Sequence, residues 1–255
     1  MPQTTHNRIE TAIETVDREI TYVADERQAF SRFTTRTREL SPEQTASGTA
    51  VGGDTMAVST GGQQLQSNGL RSVRDAYEET VMAVPHYEAV YGESLAESLA
   101  AEFGTAVATQ LLDGQQLTPV LRETIIAAGE RAMTEREEFG ETLETERAAL
   151  EEIRETLSEI ESRAAVIGES IGAATESAQL GQYDAELERL ETDCEQLATQ
   201  RQRLLHRRSA GRLSGVDADS LVGFLYDDRA ETCPALAEIT DCLGTIRRQR
   251  ERCLR

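Results

Sequence analysis

One short stretch concentrates the side chains that could do chemistry. Between Pro85 and Glu93 stand His86, Tyr87, Glu88, Tyr91 and Glu93, with Glu97 and Glu102 downstream. A histidine beside carboxylates can serve as a general base or a metal ligand. The same residues can also make an aromatic-rich turn between helices, with His86 capping a helix and the tyrosines packing. The other histidines, His6 and His206, are far away in sequence, and neither His-Glu-x-x-His nor Glu-x-x-His occurs. Zincin and di-iron carboxylate spacings are therefore missing, and the structural reading is the stronger one.

A second candidate is basic. Arg201, Arg203, Arg207, Arg208 and Arg212 surround His206 without an intervening acid. Arg247, Arg248, Arg250, Arg252 and Arg255 follow at the C-terminus, against Glu251. Such a patch could hold phosphate or nucleic acid. It could equally complement a helix C-terminus or pair with the glutamates of a neighbouring helix, of which eleven fall between Glu135 and Glu161.

Composition removes many activities. The 255 residues include 46 acids against 26 bases, and every base is arginine, giving a formal charge of −20. Without lysine there is no Walker-type nucleotide loop, no Schiff-base chemistry and no kinase strand lysine. The charge disfavours nucleic acid as a partner. Acid excess, no lysine and arginine-only bases suggest a salt-accumulating halophile, because molar salt shortens the Debye length to ~3 Å and mutes the repulsion. The four cysteines, at 194, 233, 242 and 253, lack Cys-x-x-Cys spacing, so a zinc ribbon is not expected. Cys194 reads as a small core residue, while Cys233, Cys242 and Cys253 could form a redox or metal set. No signal peptide and no long apolar run is evident, which predicts a cytoplasmic protein with reduced thiols, no transmembrane segment and no cofactor.

Heptad spacing dominates the rest. A first seam runs Ile9, Ile13, Val16, Ile20, Val23, Arg27, Phe30, Phe33. A second runs Ala132, Arg136, Phe139, Leu143, Glu146, Leu150, Ile153, Leu157, Ile160, Ala164, Ile167, in a helix from Pro119 with Thr118 as N-cap and a bend expected near Gly129. A third runs Leu180, Tyr183, Leu187, Leu190, Cys194, Leu197, Arg201, Leu204. Arg27, Arg136, Glu146 and Arg201 interrupt these seams and could fix register by pairing across them.

The expected fold is all-α: an elongated antiparallel helical bundle or coiled coil with a small helical insert and a C-terminal helical pair. Its segments are an N-terminal bundle helix (1–40), a disordered linker (41–68), the insert (69–117), the antiparallel hairpin (118–214) and the C-terminal pair (215–255). The linker is too polar to offset chain entropy, so its shortening should leave stability unchanged. Asp217 or Asp219 would cap the first C-terminal helix and Thr232 the second.

Three phrases carry a family likeness: Asp25-Glu26-Arg27-Gln28-Ala29-Phe30-Ser31-Arg32-Phe33; Val73 to Met82 running into Pro85 to Ser94 and Glu102-Phe103-Gly104; and Phe224-Leu225-Tyr226-Asp227-Asp228 with Cys233-Pro234-Ala235-Leu236. With these, the chain resembles an uncharacterised haloarchaeal family, a domain of unknown function with predicted coiled coils. The resemblance implies habitat and architecture rather than a reaction. The leading expectation is a non-enzymatic structural or protein-interaction module that binds protein partners, or a second copy of itself, through helix surfaces. The alternative is a nucleic-acid-associated regulator, and an enzyme centred on His86 comes last.

Overall fold

The computed structural model describes residues 7–42, 68–172, 174, 176–210, 218–226 and 232–254. Among these residues every regular element is a helix, with no strand. The helices are α1 (Asn7–Glu39), α2 (Asn68–Thr80), α3 (Tyr87–Val90), α4 (Leu95–Phe103), α5 (Thr105–Asp113), α6 (Pro119–Ile171), α7 (Ser177–Ala210), α8 (Ala218–Tyr226) and α9 (Pro234–Cys253). Most of the expected linker, residues 43–67, lies outside the described residues, as does Asp217; Asp219 falls inside α8. Two compact units emerge, one of Met1–Glu19 with Thr142–Arg255 and one of Ile20–Glu141.

In the first unit, α6 and α7 run antiparallel. Glu146 meets Arg201 near one end of the pair, and Arg163 meets Glu186 toward the other. The seam positions Leu143, Leu150, Ile153, Leu157, Ile160, Ala164 and Ile167 are all buried, as are Leu187, Leu190, Cys194 and Leu197. The C-terminal helix α9 is longer than a short tail element, at 20 residues, and packs antiparallel to α7. Arg250 reaches Asp184, Arg247 reaches Glu191, and Cys242 meets Cys194. The start of α1 is tied to α9 as well. The Arg8 backbone N–H donates to Glu238 at 2.8 Å, and the Arg8 guanidinium to Asp241 at 2.6 Å. Cys233, rather than Thr232, holds the N-cap position of α9, and its side chain makes no capping bond.

In the second unit, Thr118 caps α6 as its sequence implies, with the Leu121 N–H donating to its hydroxyl at 3.1 Å. Gly129 is a close-approach site. A β-carbon there would come within 2.5 Å of the Thr34 methyl, and Thr34 is buried. Alanine, the better residue in an isolated helix, is the worse one here. The insert is four helices. Ser94 and Glu97 form a reciprocal capping box at the start of α4, so Glu97 is occupied there. Gly104 separates α4 from α5 with φ at 82°, a region L side chains avoid. The core gathers around Tyr77, whose ring meets Phe33 at 5.4 Å and Phe103 at 5.6 Å and whose hydroxyl meets Ser98 at 2.8 Å. An aromatic-poor chain thus concentrates its large rings where the short helices must be held.

Burial at Leu190 makes one expectation concrete. The side chain is fully buried. Leu190→Asp should cost several kcal/mol, in the range for an unpaired core charge. Glu191, which by its position beside the seam reads as a neutral surface site, accepts from Arg247 at 2.6 Å and Arg250 at 2.8 Å. Those two bonds hold its carboxyl below the ordinary glutamate value. Its stabilising contribution is present above the unfolded pKa and is lost as pH falls through the folded one. Glu191→Gln should therefore lower the melting temperature by about 2–4 °C at neutral pH, with the gap to the parent closing on acidification. Thermal melts of both variants check this.

Candidate functional site

The sequence cluster at Pro85–Glu93 assembles only in part, and its centre comes from elsewhere. Helix α2 ends at Thr80, and a turn over residues 81–86 leads into α3, one turn long. His86 holds the N-cap position of α3 but makes no capping bond with its side chain. The ring is buried, stacked on Tyr22 with centroids 4.0 Å apart. Its Nε2 faces Glu26 Oε1 at 3.0 Å, and its Nδ1 is buried without a partner.

Glu26 is the hub. Its Oε1 also accepts from the Tyr91 hydroxyl at 2.8 Å, and its Oε2 accepts from Arg136 Nε at 2.9 Å. Arg136 in turn donates to Glu102 at 2.5 Å and lies over the Phe30 ring at 4.5 Å. Burial works against the Arg136 charge, yet Glu102 and Glu26 outweigh it and hold its pKa above the ordinary arginine value. Burial raises the Glu102 carboxyl, with Arg136 opposing. Burial also raises the Tyr91 phenol, assisted by Glu26.

Of the five residues singled out in sequence, His86 and Tyr91 meet on Glu26. Tyr87 and Glu93 line an adjoining cavity of about 90 Å³, together with Glu26, Glu102 and Arg136. The Tyr87 hydroxyl is buried and without a hydrogen-bond partner. Glu88 is exposed. The cavity is well below the ~300–1,000 Å³ of ordinary small-molecule pockets.

Glu26 and Arg136 were not legible as members of this cluster. The heptad spacing puts Arg27 in the seam, but it is half exposed and pairs with Glu137 at 3.2 Å, while Glu26 is buried. A signal was present in the two seams. Arg136 occupies the opposing one, and a buried arginine needs an acid across from it, so Glu26 fits where Arg27 would repel.

Three of the basic candidates, Arg201, Arg247 and Arg250, are paired with acids inside the first unit. Arg201 is buried and forms a two-pronged pair with Glu146, at 2.7 and 3.0 Å, and Tyr226 adds a bond to Glu146 at 3.1 Å. Burial opposes the Arg201 charge, but the Glu146 bonds prevail and raise its pKa. Arg203 is exposed. The side chains of Arg207 and Arg208, and all of Arg212, lie outside the described residues. Arg247 and Arg250 pair with acids of α7, not with the glutamate-rich α6.

Among the described residues no group of histidine, cysteine and acid side chains could hold a metal ion, and no helix is long and apolar enough to cross a membrane. These features define a class: an all-helical bundle protein that carries charge inside its seams and pairs it there. Residues 7–250 match the family described as a domain of unknown function, DUF7260, and the chain belongs to that family. No curated protein and no solved structure matches it.

Proposed function

We propose that the chain is a non-enzymatic helical interaction module that works in the cytoplasm of a halophilic archaeon. In this reading it forms coiled-coil-like contacts and binds protein partners, or a second copy of itself, through its exposed helix faces. One observation carries the reading. The groups at the centre of the cluster are taken up by one another, with Glu26 bonded to His86, Tyr91 and Arg136 at once. A base already bonded to three donors and walled in by aromatic rings is a strut rather than a catalyst. The same economy weakens the nucleic-acid alternative, since Arg201, Arg247 and Arg250 are bonded to carboxylates. The acidity and the lack of lysine support the halophilic setting.

Affinity capture with the tagged full chain in molar potassium chloride, with and without nuclease, separates the readings. The interaction module retains the same protein partners after nuclease. Loss of all partners on nuclease digestion would favour the nucleic-acid regulator instead. Light scattering on the purified chain in the same salt reads self-association directly.

A further inference from the structure

Two of the four cysteines, 48 residues apart in sequence, are brought together in the first unit. Cys194 on α7 and Cys242 on α9 face each other with sulfurs 3.7 Å apart, both buried and both free. Neither Cys-x-x-Cys spacing nor the seam pattern marks them as partners; the antiparallel docking of α9 on α7 does. We propose that Cys194 and Cys242 are a reversible dithiol–disulfide pair that, on oxidation by a hydroperoxide, locks the C-terminal helix α9 to α7.

The geometry supplies what such a pair needs. The sulfurs are at van der Waals contact, and a disulfide brings them to ~2.05 Å, a closure that side-chain rotation can contribute to. Their proximity also tunes reactivity. The S–H of one stabilises the thiolate of the other, which draws Cys194 below the ordinary thiol value against the opposition of burial and nearby acids, and pushes Cys242 above it. The thiolate is the nucleophile, and in the order that a lowered Cys194 favours, Cys194 attacks first. Its sulfur bonds to one peroxide oxygen, the O–O bond breaks, and the other oxygen leaves as alcohol, or as water from hydrogen peroxide, with the proton released at Cys194. Cys242 then attacks the Cys194 sulfenic sulfur. The S–S bond forms, the S–O bond breaks, and hydroxide leaves as water with the Cys242 proton. Two thiols and one hydroperoxide give one disulfide, one alcohol and one water, and two electrons pass from sulfur to oxygen. Because both sulfurs are buried, the first step waits on local opening of the helix pair, while the second is pre-positioned by it.

The test uses the folded full chain in molar potassium chloride, treated with hydrogen peroxide, then denatured, alkylated and mapped by mass spectrometry. The expected result is one cross-linked peptide joining Cys194 to Cys242, with Cys233 and Cys253 still alkylated and with dithiothreitol restoring all four thiols. The oxidised chain should melt roughly 5–10 °C higher than the reduced one. Cys253→Ala should keep the cross-link, and Cys242→Ala should lose it. Chain oxidised after unfolding supplies the comparison in which pairing is unselective. Four alkylated thiols after peroxide, pairing as mixed as in the unfolded chain, or Cys194 carried to sulfinic acid without a cross-link would each overturn the proposal.

Discussion

Lowering potassium chloride from molar to about 10 mM at neutral pH should drop the melting temperature of the chain steeply and, at the low end, reduce its helical circular dichroism. The formal charge is −20. Some acids are neutralised locally, as Glu151 is by Arg147 and Glu137 by Arg27. Others are not compensated in this way. Glu155 and Glu159 are both exposed and one helical turn apart on α6, and like charges at that spacing cost an isolated helix ~0.2–0.5 kcal/mol. As the Debye length grows to ~30 Å, acidic faces also begin to repel across the bundle. The usual margin of ~5–15 kcal/mol leaves room for such increments to unfold the chain. Mild acidification at low salt should partly rescue it by protonating exposed glutamates. The rescue has a floor, because Glu191 is held below the ordinary value by Arg247 and Arg250 and its contribution disappears as it protonates. Identical melting curves at both salt extremes would remove the halophilic reading.

Glu146→Leu should destabilise the first unit by about 3–5 kcal/mol, the cost of leaving a buried charge without its partner. Arg201 and Glu146 side chains are each only 1 % exposed, so solvent cannot take over the lost interaction. Arg201 also has a buried Nε with no partner already. Removing both Glu146 oxygens would take away the two bonds that the Arg201 guanidinium makes to them, together with the bond from the Tyr226 hydroxyl. Tyr226→Phe should be far milder, near the ~1 kcal/mol of a single hydrogen bond, because the two-pronged ion pair survives. Denaturant melts in molar salt check both.

Heptad spacing made α6 and α7 readable because their seams are long and nearly unbroken. Leu143 to Ile167 and Leu187 to Leu197 are buried where the pattern puts them. The start of α6 was readable for a local reason, a threonine cap before proline. What resisted reading was set by tertiary context. Glu26 and Arg27 are adjacent and either can sit in a three–four seam; only the arginine across from them, Arg136, decides. Gly129 reads as a bend from its residue type, and the approach of Thr34 to it is set by packing that spacing does not show. His86 reads as a cap or a base, and its burial against Tyr22 and Glu26 follows from a residue 60 positions away. In sequence Cys242 groups with its neighbours Cys233 and Cys253, whereas the docking of α9 presents it to Cys194. Pairings of this kind leave no mark in spacing.

Buried Arg201 and Glu146 are bonded to each other inside the helix seam, and such pairing is what would hold the helices in register. A double-mutant cycle on Glu146→Leu and Arg201→Met, followed by denaturant unfolding in molar potassium chloride, tests it most directly. The double variant should be much less destabilised than the two single variants summed, with a coupling of about 2 kcal/mol or more. Single-variant costs that simply add would contradict this pairing, because the two side chains would then act independently of each other.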